Sequence, residues 1–191
     1  METRCFVALP LPEAYQRVLP EIASRWNSSL HSRLTWTKQG NWHLTLYFLG
    51  EIGPQMLSSV QETLQGVNEP GFTLQAGGAG FFPAGKKPRV VWVGLSQGAE
   101  ECIRLAGKIE QALLPLGFPA TSRPFRPHLT VARVKQARPD DWSQLIKWLQ
   151  NMSWPACQVD RFVLYASRLT PKGPEYSVLN EYFLSAHETQ G

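Results

Sequence analysis

A chain of 191 residues, 43% hydrophobic and 18% charged, has an ordinary globular composition and fits one compact domain or two small lobes sharing a core. Its net charge of +4 mildly favours an anionic partner and excludes the basicity of a ribosomal or histone-like protein. Three scattered cysteines without a CxxC, four histidines without HxH or HExxH, and no apolar run of roughly 18 residues lead to the expectation of a reduced, cytoplasmic protein with no metal, cofactor or membrane partner.

Residues 4–9 read as a strand closed by Pro10, and Pro12 suits the first turn of a helix. Tyr15, Leu19, Ile22 and Trp26 recur at helical spacing, and Pro20 inside that run predicts a kink or two shorter helices. A short strand over 34–38 and a turn at 39–41 lead into a strand over 42–49, stopped by Gly50. Residues 54–64 are helical in pattern, with Leu57, Val60 and Leu64 on one face. Residues 72–76 form a strand followed by a glycine-rich loop. Residues 90–95 are the most apolar strand and are expected at the centre of a sheet. A helix over 99–114 presents Ile103, Ala106, Ile109 and Leu113. A strand over 128–134 is fed by Pro124-Phe125-Arg126-Pro127. Asp140 is expected to cap a helix carrying Trp142, Leu145 and Leu149. Strands over 159–166 and 176–184 flank a turn at 170–174.

Two short stretches share one pattern: His43-Leu44-Thr45-Leu46 and His128-Leu129-Thr130-Val131. Side chains alternate along a strand, so each stretch turns a histidine and a threonine to one face and its apolar residues to a core. Strand, helix and motif strand occur twice, with 34 positions from Leu9 to His43 and 33 from Leu95 to His128. That repetition predicts two similar lobes, each contributing one motif.

Two opposed imidazoles divide acid and base labour near neutral pH, and threonine hydroxyls donate to phosphate oxygens. Arg126 and Arg133 are the nearest cations to offset the charge, with Arg126, beside the motif strand, preferred for phosphate contact. A cyclic phosphodiester fits such a site. One imidazole deprotonates water for in-line attack while the other protonates the departing ribose oxygen, with no metal or nucleotide cofactor.

The chain resembles the 2H phosphoesterase superfamily, and specifically the RNA 2′,3′-cyclic phosphodiesterases, also called 2′-5′ RNA ligases. The resemblance rests on Arg4-x-Phe6-Val7-Ala8-Leu9, Trp42-His43-Leu44-Thr45-Leu46 with Phe48-Leu49-Gly50, and Pro88-Arg89-Val90 with Trp92. It continues through Phe125-Arg126-Pro127-His128-Leu129-Thr130-Val131-Ala132-Arg133 and Ser167-x-Leu169-x-Pro171-x-Gly173-x-x-Tyr176. It implies a bilobal α+β fold: antiparallel sheets flank a central cleft, helices lie outside, and residues 1–191 form one domain of two intertwined lobes. It also implies hydrolysis of 2′,3′-cyclic phosphate ends to 2′-phosphates, with weak reverse ligation. His43 and His128 carry over as catalytic residues, and Thr45 and Thr130 as phosphate-binding ones. His43 is expected to be the acid on O3′, and His128 to activate water. The expected partners are RNA 3′ ends or small cyclic nucleotides, and the expected state is a monomer. The alternatives are a nucleotide- or RNA-binding module without turnover, and a phosphodiesterase for 2′-5′ oligoadenylate or ADP-ribose cyclic phosphate.

The stretch from Gly80 to Lys87 nearly spells a P-loop, but Lys87 stands where Ser or Thr must hold Mg²⁺, and Pro88 blocks the required helix. Lys86, Lys87 and Arg89 read instead as a basic loop at the cleft rim, or equally as a solvated one. Trp36, Trp42 and Phe125 read as packing residues rather than base platforms, and His31 and His187 as inert.

Overall fold

The computed structural model describes residues 2–84, 87–171 and 173–186. Strand β1 (Thr3–Pro10) is buried almost throughout, because it runs between two other strands with a core on one side. Helices α1 (Glu13–Gln16) and α2 (Val18–Asn27) follow, then β2 (Arg33–Trp36) and the first motif strand β3 (His43–Ile52). Helix α3 (Pro54–Gln65) leads to β4 (Phe72–Phe82), β5 (Val90–Gln97), α4 (Ala99–Leu113) and the second motif strand β6 (Leu129–Gln136). Helix α5 (Trp142–Gln150) and strands β7 (Cys157–Val159), β8 (Arg161–Thr170) and β9 (Gly173–Phe183) complete the chain.

The strands form two antiparallel sheets, β3-β1-β8-β9 and β2-β6-β5-β4-β7. This is the α+β, two-lobed architecture that the sequence led us to expect. Neither sheet is one continuous half of the chain: β2 joins the second sheet, while β8 and β9 return to the first. The motif strands lie in different sheets and approach each other where those sheets meet. Among the described residues no helix is long and apolar enough to cross a membrane.

Several elements differ from their sequence reading for local reasons. The first helical run breaks at Arg17, not at Pro20, and Pro20 falls in the first turn of α2, where a missing N–H costs no intrahelical bond. Gly50 does not end β3; it takes φ +78 at a bulge and lets the strand continue to Ile52. The glycine-rich stretch is not a loop but the second half of β4, where Trp92 of β5 lies over Gly80 so closely that a Cβ would collide with the indole. That placement also removes any P-loop. On α4 the buried face is Cys102, Leu105, Ala106, Ile109 and Leu113, which leaves Ile103 exposed. Asp141, not Asp140, caps α5, accepting from the Ser143 amide. Asp140 instead accepts from the amides of His31 and Ser32 at 2.7 and 2.8 Å, tying the α2–β2 loop to the start of α5. His187 and Lys86 lie outside the described residues.

Candidate active site

Both motif strands follow the same burial rhythm. From His43 to Phe48 and from His128 to Arg133 the residues run half-buried, buried, half-buried, buried, buried, exposed. Strict alternation would give a different fifth and sixth position. A register shift supplies the extra residue in each case, between Val7 and Ala8 opposite β3 and between Val91 and Trp92 opposite β6. Histidine and threonine thus share the cleft face, Leu44 and Leu46 or Leu129 and Val131 fill the core, and the sixth residue swings back to the cleft.

The two histidines are oriented in the same way. The Nδ1 of His43 lies 2.8 Å from the carbonyl oxygen of Asn41, and the Nδ1 of His128 lies 2.7 Å from that of Arg126. A carbonyl accepts only, so each neutral imidazole carries its proton on Nδ1 and presents the lone pair of Nε2. The His43 Nε2 accepts from the Thr45 hydroxyl at 3.0 Å. Each ring also meets an aromatic edge-on, Tyr176 against His43 at 5.2 Å and Phe82 against His128 at 5.0 Å.

Electrostatics push both imidazoles the same way. The pKa of His43 is lowered to about 4, chiefly by burial, with the charges of Arg133 and His128 acting in the same direction and the Asn41 carbonyl opposing them. Burial likewise lowers His128, the Arg126 carbonyl opposes the shift, and Arg133 adds to it. At neutral pH the free protein therefore holds two neutral histidines, within electrostatic reach of each other and of one guanidinium.

The segment between Thr37 and His43 ties the motifs together. The Thr37 hydroxyl donates to the Thr130 carbonyl at 2.7 Å, and its amide donates to that of Val131 at 2.9 Å. At the other end, the Asn41 side chain donates to the Pro174 carbonyl on the β8–β9 hairpin. Buried Gln16 clamps the turn from within: its Nε2 donates to the Trp42 carbonyl at 2.7 Å, and its Oε1 accepts from the amides of Gly40 and Trp42. Gln16 escaped the sequence reading because the stretch around it was read only for its apolar spacing.

A cleft of about 630 Å³ contains His43, Thr45, His128 and Thr130 together. Four cations line it, Arg4, Lys38, Arg133 and Lys135, and no aspartate or glutamate among the described residues does. Arg126 is exposed and its side chain does not line the cleft; its carbonyl is the part that meets the site. Lys87 and Arg89 are exposed and likewise do not line it, Trp42 is buried in the core, and Trp36 is half-buried on the cleft wall. Among the described residues no three His, Cys, Asp or Glu side chains converge as a metal cage.

An α+β fold with an H-x-T pair on each of two sheets, brought into one cationic cleft, is that of a 2H phosphoesterase. Comparison with known proteins narrows this class. The sequence pattern of the 2′-5′ RNA ligase superfamily matches residues 18–170, and the chain belongs to that family. An RNA 2′,3′-cyclic phosphodiesterase of Thermotoga maritima is 35% identical over 182 residues, 93% of this chain and 94% of that protein. One from Archaeoglobus fulgidus is 34% identical over 179 residues, 94% and 99% of the two chains. Among solved structures, E. coli LigT complexed with 3′-AMP superposes with a TM-score of 0.76 at 25% identity, covering 97% of this chain and 99% of that one.

Proposed function

We propose that this protein hydrolyses 2′,3′-cyclic phosphodiester ends of RNA, or small cyclic nucleotides, to 2′-phosphates by two-histidine acid–base catalysis. The observation that carries the proposal is the pair of imidazoles fixed through Nδ1, each presenting Nε2 on the cleft face, that of His43 to the Thr45 hydroxyl, in one cleft rich in cations. The relatives named as RNA 2′,3′-cyclic phosphodiesterases support it, as do the LigT complexes with 3′-AMP, ATP, NADP+ and phosphate. Residues 1–191 act in this reading as a single unit of two intertwined lobes.

His128 takes a proton from water as its oxygen attacks phosphorus in line with O3′. The P–O3′ bond breaks, and His43 gives its proton to the departing oxygen. In the free protein His43 is neutral, so that proton is taken up from solvent as the substrate binds: the anionic phosphodiester offsets Arg133 and favours the imidazolium. Thr45 and Thr130 donate to the non-bridging oxygens, and Arg133 takes their charge in preference to Arg126, since only Arg133 lines the cleft. The same displacement with a ribose O5′ hydroxyl in place of water, O3′ again leaving with the proton of His43, gives a 2′-5′ linkage. Four lining cations exceed what one phosphodiester requires, which favours an RNA end over a free mononucleotide.

The deciding assay uses a short RNA ending in 2′,3′-cyclic phosphate, with and without EDTA, and reads the position of the product phosphate. A 2′-phosphate formed at equal rates in both is expected. A 3′-phosphate, a chelator-induced loss restored by Mg²⁺ or Zn²⁺, or binding without turnover would each overturn the reading. The threonines are tested on the same substrate. Thr45→Ser and Thr130→Ser keep the donor and lower kcat/KM only a few-fold, whereas Thr45→Val and Thr130→Val keep the volume and lower it about 10²-fold. Equal damage from serine and valine in steady-state kinetics would assign the threonines to packing.

A further inference from the structure

Each imidazole of the site rests on the oxygen of one peptide unit. His43 donates from Nδ1 to the oxygen of the Asn41–Trp42 peptide at 2.8 Å, and His128 to that of the Arg126–Pro127 peptide at 2.7 Å. The direction of each ring therefore depends on how that peptide plane is turned. At the second motif the local sequence fixes the plane by itself. The ring of Pro127 locks its own φ and confines Arg126 to extended backbone, which leaves the plane little freedom to rotate. At the first motif Trp42 stands where Pro127 stands in the second, and neither restriction applies.

Gln16 supplies what the first motif lacks. Its Oε1 accepts from the Trp42 N–H at 3.3 Å, the other end of the peptide unit whose oxygen holds His43. In a trans peptide the N–H and the C=O point in opposite directions, so Gln16 and His43 grip one plane from its two edges. The same Oε1 accepts from the Gly40 N–H at 3.0 Å. The Gln16 Nε2 donates to the Trp42 carbonyl at 2.7 Å and to the Leu11 carbonyl at 3.4 Å. One side-chain amide thus holds three peptide units of the turn that leads into His43. Gln16 is 7% exposed and Trp42 2% exposed, so water has little access to replace these bonds. Gln16 does not line the cleft, and its effect on the chemistry is transmitted through the backbone.

We propose that Gln16 is the positioning residue for His43: it fixes the Asn41–Trp42 peptide so that its carbonyl keeps a proton on Nδ1 and leaves Nε2 facing the substrate. It does for the first motif what Pro127 does for the second. With Gln16 lost, the buried Trp42 N–H has no acceptor, and the plane turns to find one. That rotation takes the carbonyl off Nδ1, and the neutral ring then exchanges between its two tautomers, only one of which suits the reaction. The inference rests on the phosphodiesterase reading for its catalytic consequence, but the tautomer is observed without turnover.

Nitrogen NMR of isotope-labelled histidine rings near neutral pH reads each tautomer directly, because protonated and unprotonated ring nitrogens resonate far apart. Wild-type protein, Gln16→Met, Gln16→Asn and Gln16→Glu are compared, with thermal melting to verify that each folds. Methionine keeps the length without the hydrogen bonds. Asparagine keeps the amide but falls one methylene short, and carries the same expectation should Gln16→Met fail to fold. In both, His43 is expected to show mixed tautomers while His128, held beside Pro127, keeps its proton on Nδ1. On an RNA ending in 2′,3′-cyclic phosphate, kcat should fall about 10–10²-fold with KM within a few-fold of wild type. Glutamate in either protonation state keeps an acceptor for the Trp42 and Gly40 amides, so Gln16→Glu should retain the wild-type tautomer and most of kcat. An unchanged His43 tautomer in the folded methionine and asparagine variants, or an equal change in His128, would overturn the proposal. So would a loss that falls on KM and spares kcat. If His43 responds as expected but wild-type protein cleaves no cyclic phosphate, the phosphodiesterase reading falls and the positioning role stands.

Discussion

His43→Ala and His128→Ala each lower kcat by about 10²–10⁴ on an RNA ending in 2′,3′-cyclic phosphate, the loss expected when a positioned acid or base is removed. The double variant loses far less than the product of the two factors, because the groups act as a unit on one proton inventory. Circular dichroism should show both single variants folded, since both rings lie on the cleft side of their strands and the core residues beside them, Leu44 and Leu129, are untouched. Near-normal turnover in either folded variant would end the two-histidine account. The division of labour has its own test, a substrate whose 3′-bridging oxygen is replaced by sulfur. A thiolate leaves without needing a proton, so this substrate restores much of the rate to whichever variant lacks the acid. Restoration is expected in His43→Ala and not in His128→Ala, which still cannot activate water. The opposite pattern would exchange the roles, and rescue of neither would exclude protonation of the leaving group as the task of His43.

Arg133→Met is expected to lower kcat/KM by about 10²–10³ near pH 6, the scale for losing a charge aimed at a developing anion. Its second effect has the opposite sign. Arg133 disfavours the protonated form of both imidazoles, so removing its charge raises both pKa values, although burial still holds His43 below the usual histidine range. Catalysis from the free enzyme needs one imidazolium, and kcat/KM falls as pH rises past the pKa of that group. In Arg133→Met this falling limb moves to higher pH, and the deficit relative to wild type shrinks on the alkaline side. Arg133→Lys keeps the charge but loses the planar fork, so it should show an intermediate loss with the limb in place. Histidine ring signals followed by NMR against pH read the shifts directly. Unmoved titrations in Arg133→Met would place the guanidinium away from both rings.

The outline of the site was legible in the chain itself, because H-x-T on a strand puts both chemical groups on one face by a period of two and needs no distant information. The same local rule located β1, β5, α3 and α5, whose apolar residues recur at the period of the element they form. Register and long-range approach were not legible. The bulges in β3 and β6 arise from how each strand pairs with its neighbour, and strict alternation would have sent Phe48 away from His43 and Thr45. Sequence adjacency favoured Arg126, whereas the pleat after the bulge puts Arg133 in the cleft and leaves Arg126 to contribute a carbonyl. Gln16 lies 26 positions from the Trp42 backbone it clamps, and Thr37 lies 93 from the Thr130 carbonyl it holds. The sequence by itself determined which residues could do the chemistry, since residue type and strand periodicity are local properties. The tertiary structure alone decided which cation shares the cleft with them, because that choice depends on pairing between strands far apart in the chain.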